Sequence, residues 1–278
     1  MSTLAYCTNV HPSETFEEVL RVITGPAREV REGLEQARLP IGLYLSNRAS
    51  EEIARDRACL ETLQAALHAS KLDVVTFNGF PYGGFQDKVV KTRVYQPDWS
   101  SKQRLEYTKR LAGIFVHLVP ESADVSISTL AGGFAAGFND EHFDAWLRHL
   151  AYFANYAQQL ESETGRCVRL AIEAEPFTAL ERASQVMDFF RERVWRASRD
   201  FLVKHFGFNP NHAEEALRRH IAVCYDCCHQ ALFAEDAADF FASARSEELA
   251  IAKIQLSSAL EIRDRDGLHE IERFVEER

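Results

Sequence analysis

Short stretches of this chain place acids, imidazoles, an amine and an amide where they could meet. In VRLAIEAEP (168–176), Glu173 and Glu175 are two residues apart, so on an extended strand both carboxylates leave the same face. In IAVCYDCCH (221–229), Asp226 and His229 are three apart. If the strand ends at Asp226, the imidazole can curl back over that face. IAKIQLSSAL (251–260) carries Lys253 and Gln255 on one parity. Asn78 lies in DVVTFNGF (73–80), and His11 ends LAYCTNVHP (4–12). Glu173, Asp226 and His229 are the expected metal ligands, for Zn or Mn. The same three could instead work as an acid/base set without metal. With Lys253 they form the expected catalytic group, and His11, Asn78, Glu175 and Gln255 the expected substrate-binding group. Each has a structural alternative. Glu173 could pair with Lys253, since a buried amine needs a counter-charge or loses its proton. Asp226 could be a helix cap beside a surface histidine.

The elements that must position these residues alternate. Seven short apolar runs, at 4–12, 41–46, 73–80, 124–130, 168–176, 221–229 and 251–260, are separated by amphipathic helical stretches. Strand–helix alternation implies parallel βαβ units, and seven units without a linker imply a TIM-type (β/α) barrel rather than an open sheet. The pattern predicts a single α/β domain over 1–278. After the seventh run comes one helical stretch, LHEIERFVEER (268–278). The sequence therefore predicts an incomplete barrel, with an eighth strand missing at the C-terminus. Ser13, Ser50 and Asn139 are expected to cap helices. The long stretch 180–219 should hold two helices broken near Gly207-Phe208-Asn209-Pro210. The stretch 81–100, rich in Gly, Pro and aromatics, is expected to be a loop over the pocket, with Phe85, Tyr95 and Trp99 shielding a ligand.

In each strand one parity is apolar, as in Val168, Leu170 and Ile172. The other should face the barrel interior: Cys7, Asn9 and His11; Tyr44 and Ser46; Thr76 and Asn78; Ser126 and Ser128; Ala171, Glu173 and Glu175; Ala222, Cys224 and Asp226; Lys253, Gln255 and Ser257. A purely structural barrel fills that space with branched apolar side chains. Polar groups there need partners or a ligand. Cys224 and Cys227 form a C-x-x-C whose thiols would point to opposite faces of a strand, so they are expected to pack rather than to form a redox pair.

The net charge of −10, without a basic tract, weighs against nucleic acid as the partner. Six cysteines in a chain of this size imply reduced thiols. There is no signal-peptide pattern and no apolar run of membrane-spanning length, which predicts a cytoplasmic protein that is not membrane-embedded. No nucleotide cofactor is expected.

TNVHPSET, TFNGFPYGGFQDKVVKTRVYQPDW, SISTLAGGF, AIEAEP, CYDCCHQ and KIQLSSAL together resemble the EboE-like metabolite traffic proteins, which belong to the xylose-isomerase-like barrel superfamily. The resemblance spans nearly the whole chain. It implies a bacterial cluster that exports or moves a small secondary metabolite, with other proteins of that cluster as partners. The wider superfamily includes sugar isomerases, epimerases and apurinic endonucleases. Its divalent-metal site commonly takes a Glu, the Asp and His of a D-x-x-H, a further His and a last Glu. Glu173, Asp226 and His229 match the first three, and Gln255 stands near the place of the next. Three functions follow as expectations: a protein acting on or binding a small polar metabolite or its precursor, a non-catalytic carrier of such a metabolite, and a sugar isomerase or epimerase.

Overall fold

A computed structural model describes residues 3–83 and 91–258, together with 262, 265, 267 and 269. Among these, seven strands lie side by side in chain order: β1 (Tyr6–Cys7), β2 (Leu39–Tyr44), β3 (Leu72–Asn78), β4 (Asp124–Leu130), β5 (Cys167–Glu173), β6 (Ile221–Asp226) and β7 (Ile251–Gln255). Every neighbouring pair is parallel. The connections hold helices: α1 (Phe16–Thr24) and α2 (Pro26–Gly33) after β1, α3 (Asn47–Arg55) and α4 (Arg57–Ser70) after β2, α5 (Lys102–Phe115) after β3 and α6 (Asp140–Thr164) after β4. After β5 come α7 (Ala183–Phe189), a π-wound stretch (Phe190–Ser198), α8 (Arg199–Phe206) and α9 (Pro210–His220). Then α10 (Cys227–Ala231) and α11 (Ala237–Ser246) follow β6. Among the described residues, no helix is long and apolar enough to cross a membrane.

The sheet is curled into a half-barrel, and its side chains require the curl. Neighbouring strands lie about 4.8 Å apart, so in a flat sheet β3 and β7 would be roughly 19 Å apart, beyond the reach of a lysine. Yet the Lys253 ammonium on β7 hydrogen-bonds Asn78 on β3 and Ser128 on β4. The expected barrel class is what the strands form. Among the described residues β1 pairs with β2 and β7 with β6, so the two edge strands are not joined to each other. The C-terminal helical stretch 268–278 lies outside the described residues, apart from His269.

The apolar parity packs outward on the helices. Val168, Leu170 and Ile172 are fully buried there, and Trp146 of α6 stacks on Phe189 with centroids 4.3 Å apart. The inward parity carries small residues as well as polar ones: Ala171 and Ala222, in register with each other, and Gly42. A Cβ on Gly42 would lie 2.9 Å from the Cys7 sulfur and 3.1 Å from a Thr76 methyl, so the first three strands meet closely on that face.

The break in the long segment falls where the sequence predicts it. Gly207 ends α8 in the left-handed region (φ 72), Asn209 caps α9, and Pro210 opens it. Asn139 caps α6 as expected. Three expectations need correction. Thr15, not Ser13, caps α1, because Glu18 three residues on completes a capping box with it. Ser46, not Ser50, caps α3, its hydroxyl accepting the Ala49 N–H at 3.0 Å. The first strand is also shorter than predicted. After Cys7 the chain turns through Thr8–Val10, and Thr8 Oγ1 accepts the Tyr44 N–H at 2.9 Å in place of a strand carbonyl. Asn9 and His11 therefore lie beyond the strand.

These caps give a direct check. Thr15→Ala is expected to cost about 1 kcal/mol in urea unfolding, while Ser13→Ala, whose hydroxyl makes only a long 3.5 Å bond to the His11 carbonyl, should cost markedly less. Equal losses would contradict the assignment.

Candidate active site

Asp226 ends β6 and caps α10. Its Oδ1 accepts the backbone N–H groups of Cys228 (2.8 Å) and His229 (3.0 Å) and the Ser257 hydroxyl (2.6 Å). This tight turn carries His229 back over the strand ends. Its Nδ1 lies 3.6 Å from Glu173 Oε1 and 3.9 Å from Asp226 Oδ1, and it is buried without a hydrogen-bond partner. Gln255, level with Asp226 on β7, donates from Nε2 to Glu173 Oε1 (2.6 Å) and to Asp226 Oδ2 (3.1 Å). One amide thus ties together carboxylates from two strands. All four side chains sit at the C-terminal ends of β5, β6 and β7, the end at which barrel enzymes carry their sites.

Below them lies a second polar layer. The buried Lys253 ammonium donates to Asn78 Oδ1 and, at 3.1 Å, to Ser128 Oγ. Asn78 Nδ2 donates in turn to Asn9 Oδ1 at 3.2 Å. Among the described residues Lys253 makes no contact ion pair. Its charge reaches Glu173 at longer range and draws that carboxyl's pKa down. Burial outweighs it and, with the Asp226 charge, pushes Glu173 up to about 7. Glu175, half-buried just beyond the strand, is pushed up to about 8 by burial and then by the Glu173 and Asp226 charges. No donor among the described residues hydrogen-bonds its side chain. Burial and the adjacent Glu173 also raise the Cys224 thiol well above its usual range. Cys224 is therefore a neutral thiol, level with Glu173 on the neighbouring strand.

Glu173, Asp226, His229, Gln255, Lys253 and Asn78 thus form one connected group, with Glu175 beside it. His11 is placed differently, with Nε2 2.8 Å from the Tyr6 hydroxyl. The described parts of the stretch, residues 81–83 and 91–100, lie at the same end of the sheet, with the Gly83 carbonyl accepting from the Tyr44 hydroxyl at the end of β2. Trp99, however, is no shield. It is fully buried, and its Nε1 donates to Thr129 of β4 at 3.0 Å. Tyr95 packs against Phe80 and Phe134, within electrostatic reach of Glu175. Phe85 lies outside the described residues. Cys224, Ser128 and Ser257 were legible as inward-facing, but their contacts with the acids and the amine were not. Arg104 carried no sequence signal at all. Fully buried in α5, it donates to the carbonyls of Gly79, Phe80 and Pro97 and so pins both ends of that loop.

The residues fit a divalent cation. Glu173, Asp226 and His229 each offer one ligand atom, all within 4.8 Å of one another. Nitrogen and oxygen ligands about 2.0–2.2 Å from a tetrahedral zinc stand roughly 3.4 Å apart, so His229 Nδ1, at 3.6 and 3.9 Å from the two acids, is close to ligand spacing from both. The unpartnered His229 Nδ1 is the donor such an ion would satisfy. Gln255 points its N–H groups at the same carboxylates, and its bonds would have to adjust.

No family model matches the chain, and no curated protein matches it. Nothing in these comparisons supports the specific resemblance to EboE-like proteins. Solved structures do align with it. A xylose isomerase domain protein from Planctomyces limnophilus is 12% identical, with 82% of this chain and 67% of that one covered and a TM-score of 0.47. The 3-keto-D-glucoside 4-epimerase of E. coli is also 12% identical, with 98% and 100% covered and the same TM-score of 0.47. An IolI protein with a bound zinc atom is 9% identical, with 84% and 66% covered and a TM-score of 0.44. The half-barrel assignment rests on the strand order of the chain itself.

The two raised carboxyls set a pH dependence of stability. Between the ordinary carboxyl value of 4.5 and the raised values of about 7 and 8, the folded chain holds protons that the unfolded chain has lost. Stability therefore falls as pH rises through that window. For the buried Glu173 alone the loss is on the order of 3 kcal/mol. The Glu173→Gln/Glu175→Gln double variant should show a flatter profile over the same range in urea unfolding. A wild-type profile that rises through the window would contradict the assignment.

Proposed function

We propose that this chain acts on a small polyhydroxylated carbonyl compound at the C-terminal end of its half-barrel, moving a proton on the carbon next to the carbonyl as sugar isomerases and epimerases do. The observation that carries this reading is the pairing of roles among the acids. Glu173 and Asp226 are fastened together by Gln255 beside an unpartnered imidazole nitrogen. Glu175 stands next to them, raised to about 8 and without a donor among the described residues.

A divalent cation held by Glu173, Asp226 and His229 would polarise the substrate's carbonyl. The chain's own groups do the rest. Glu175 takes the proton from carbon and returns it, its pKa lying near neutrality as a general base requires. Lys253 adds positive charge below the site, where negative charge develops on the substrate. Gln255, Asn78 and Ser128 offer hydrogen bonds to hydroxyls. The printed names of the isomerase- and epimerase-related structures agree with this chemistry, but the support for it is the side-chain arrangement. The motif resemblance to traffic proteins would instead make the ligand a secondary metabolite or its precursor, bound without turnover.

The test is solvent deuterium exchange. The full chain, with Mn²⁺ or Zn²⁺, is incubated in D₂O with a panel of aldoses, ketoses and keto-glycosides, and C–H loss next to the carbonyl is followed by NMR. Exchange is expected, falling about 10² to 10⁴-fold in Glu175→Gln with ligand affinity kept within a few-fold. Ligand binding without exchange would replace this reading with the carrier. No binding across the panel would overturn both.

A further inference from the structure

A second group of metal-ligating side chains sits at the opposite end of the sheet. Cys167 opens β5, Glu161 lies in the last turn of α6, and His220 ends α9. One ligand atom from each lies within 4.8 Å of the others. Cys167 and Glu173 are six residue steps apart along β5, roughly 20 Å at a strand's rise, so this group is independent of the mouth.

The histidine makes the cluster more than a coincidence of types. His220 is 1% exposed. Its Nδ1 lies 3.0 Å from the Val168 carbonyl oxygen. A carbonyl can only accept, so Nδ1 carries the proton and Nε2 presents a lone pair. That Nε2 is buried with no hydrogen-bond partner among the described residues, 3.4 Å from Glu161 Oε2. A lone pair facing a carboxylate oxygen in a buried space is unfavourable unless something positive lies between them. Protonating the imidazole would supply it, but burial lowers the His220 pKa. An Nδ1–H held by a backbone carbonyl is also how metal-bound histidines are commonly oriented. Arg219 holds Glu161 through both carboxylate oxygens, at 2.7 and 3.2 Å. The carboxylate is fixed there, with a lone pair of Oε2 still open to the cluster. The Cys167 thiol is 1% exposed and has a single long contact, 3.9 Å to the Arg219 carbonyl.

We infer that Cys167, His220 and Glu161 form a second metal site, for Zn²⁺ or a similar thiophilic divalent cation, which ties the ends of α6 and α9 to the start of β5. One thiolate, one imidazole and one carboxylate make a donor set suited to such an ion, with water in a fourth position. Binding converts the Cys167 S–H to a thiolate–metal bond and releases that proton to solvent. The site is structural: it joins the ends of α6 and α9 to the start of β5, at the end remote from the proposed chemistry.

Cobalt reads it out, because a thiolate ligand gives Co²⁺ a near-ultraviolet charge-transfer band that oxygen and nitrogen ligands do not. The full chain, stripped with a chelator under reducing conditions, is titrated with Co²⁺ and then with Zn²⁺. The band is expected to be displaced by Zn²⁺, to persist in Glu173→Gln/Asp226→Asn and saturate there at one equivalent, and to vanish in Cys167→Ser. Circular dichroism checks that the serine variants are folded, and Zn²⁺ should raise the Tm of Glu173→Gln/Asp226→Asn but not of the triple variant Glu173→Gln/Asp226→Asn/Cys167→Ser. A wild-type chain without the band, or a band unchanged in Cys167→Ser, overturns the site. Either result leaves the deuterium-exchange reading of the mouth untouched.

Discussion

A buried ammonium has to find acceptors inside the protein, and Lys253 finds them on strands that only a curled sheet can bring to it. Leaving such a charge uncompensated costs several kcal/mol. Asn78 and Ser128 accept its hydrogens, and the carboxylates above it supply the opposite charge at longer range. On the same inner face Ala171 and Ala222 stand in register where a structural barrel would place branched residues. The curl, the small interior residues and the acidic mouth are thus parts of one arrangement. Flattening the sheet would strand the amine, and filling the interior would displace it.

The acids above are organised by a different device. Two carboxylates on neighbouring strands repel each other, and here the repulsion is offset by shared donors rather than by a contact cation. Gln255 gives a hydrogen to each, while the α10 turn and Ser257 give three more to Asp226. Glu173 receives fewer, so the rise in proton affinity appears there and on the neighbouring Glu175. A histidine in place of Gln255 could ligate a cation directly. The amide does the opposite, presenting donors to the acids and holding their geometry.

How much of this was legible in the sequence depends on the range of the interaction. Strand parity is local, and it correctly set Glu173, Asp226, Lys253 and Gln255 on the inner face. The D-x-x-H turn was legible because a strand that ends at Asp226 leaves His229 no other way to go. Cap identity was harder, since Ser13 and Thr15 are both competent and the choice rests on the reach of Glu18. Contacts across the barrel were not legible. Nothing local tells that Cys224 meets Glu173, or that Lys253 bonds β3 and β4 instead of touching an acid. Trp99 and Arg104 were hidden for the same reason. Trp99 lies in a segment without periodicity and so has no face in the sequence, Arg104 reads as an ordinary polar position of a helix, and only the fold shows that both are fully buried.

The two ends of β5 divide the labour of the strand. At its start Arg169 forms a two-toothed ion pair with Asp124 of β4, at 2.7 Å on each arm, and Cys167 packs against the ends of α6 and α9. Between the ends, Val168, Leu170 and Ile172 are sealed against the helices. At its finish the strand gives Glu173 and then a turn in which Thr178 bonds back to the Glu175 carbonyl at 2.8 Å. Charge at the start is paired with charge, whereas charge at the finish is paired mainly with neutral donors and kept partly protonated. Paired charges hold a geometry and have little left to offer a ligand. Carboxyls held by amide and hydroxyl donors can still give up or take a proton. That contrast, more than the mere presence of acids, is what favours the C-terminal end of this half-barrel for the proposed chemistry.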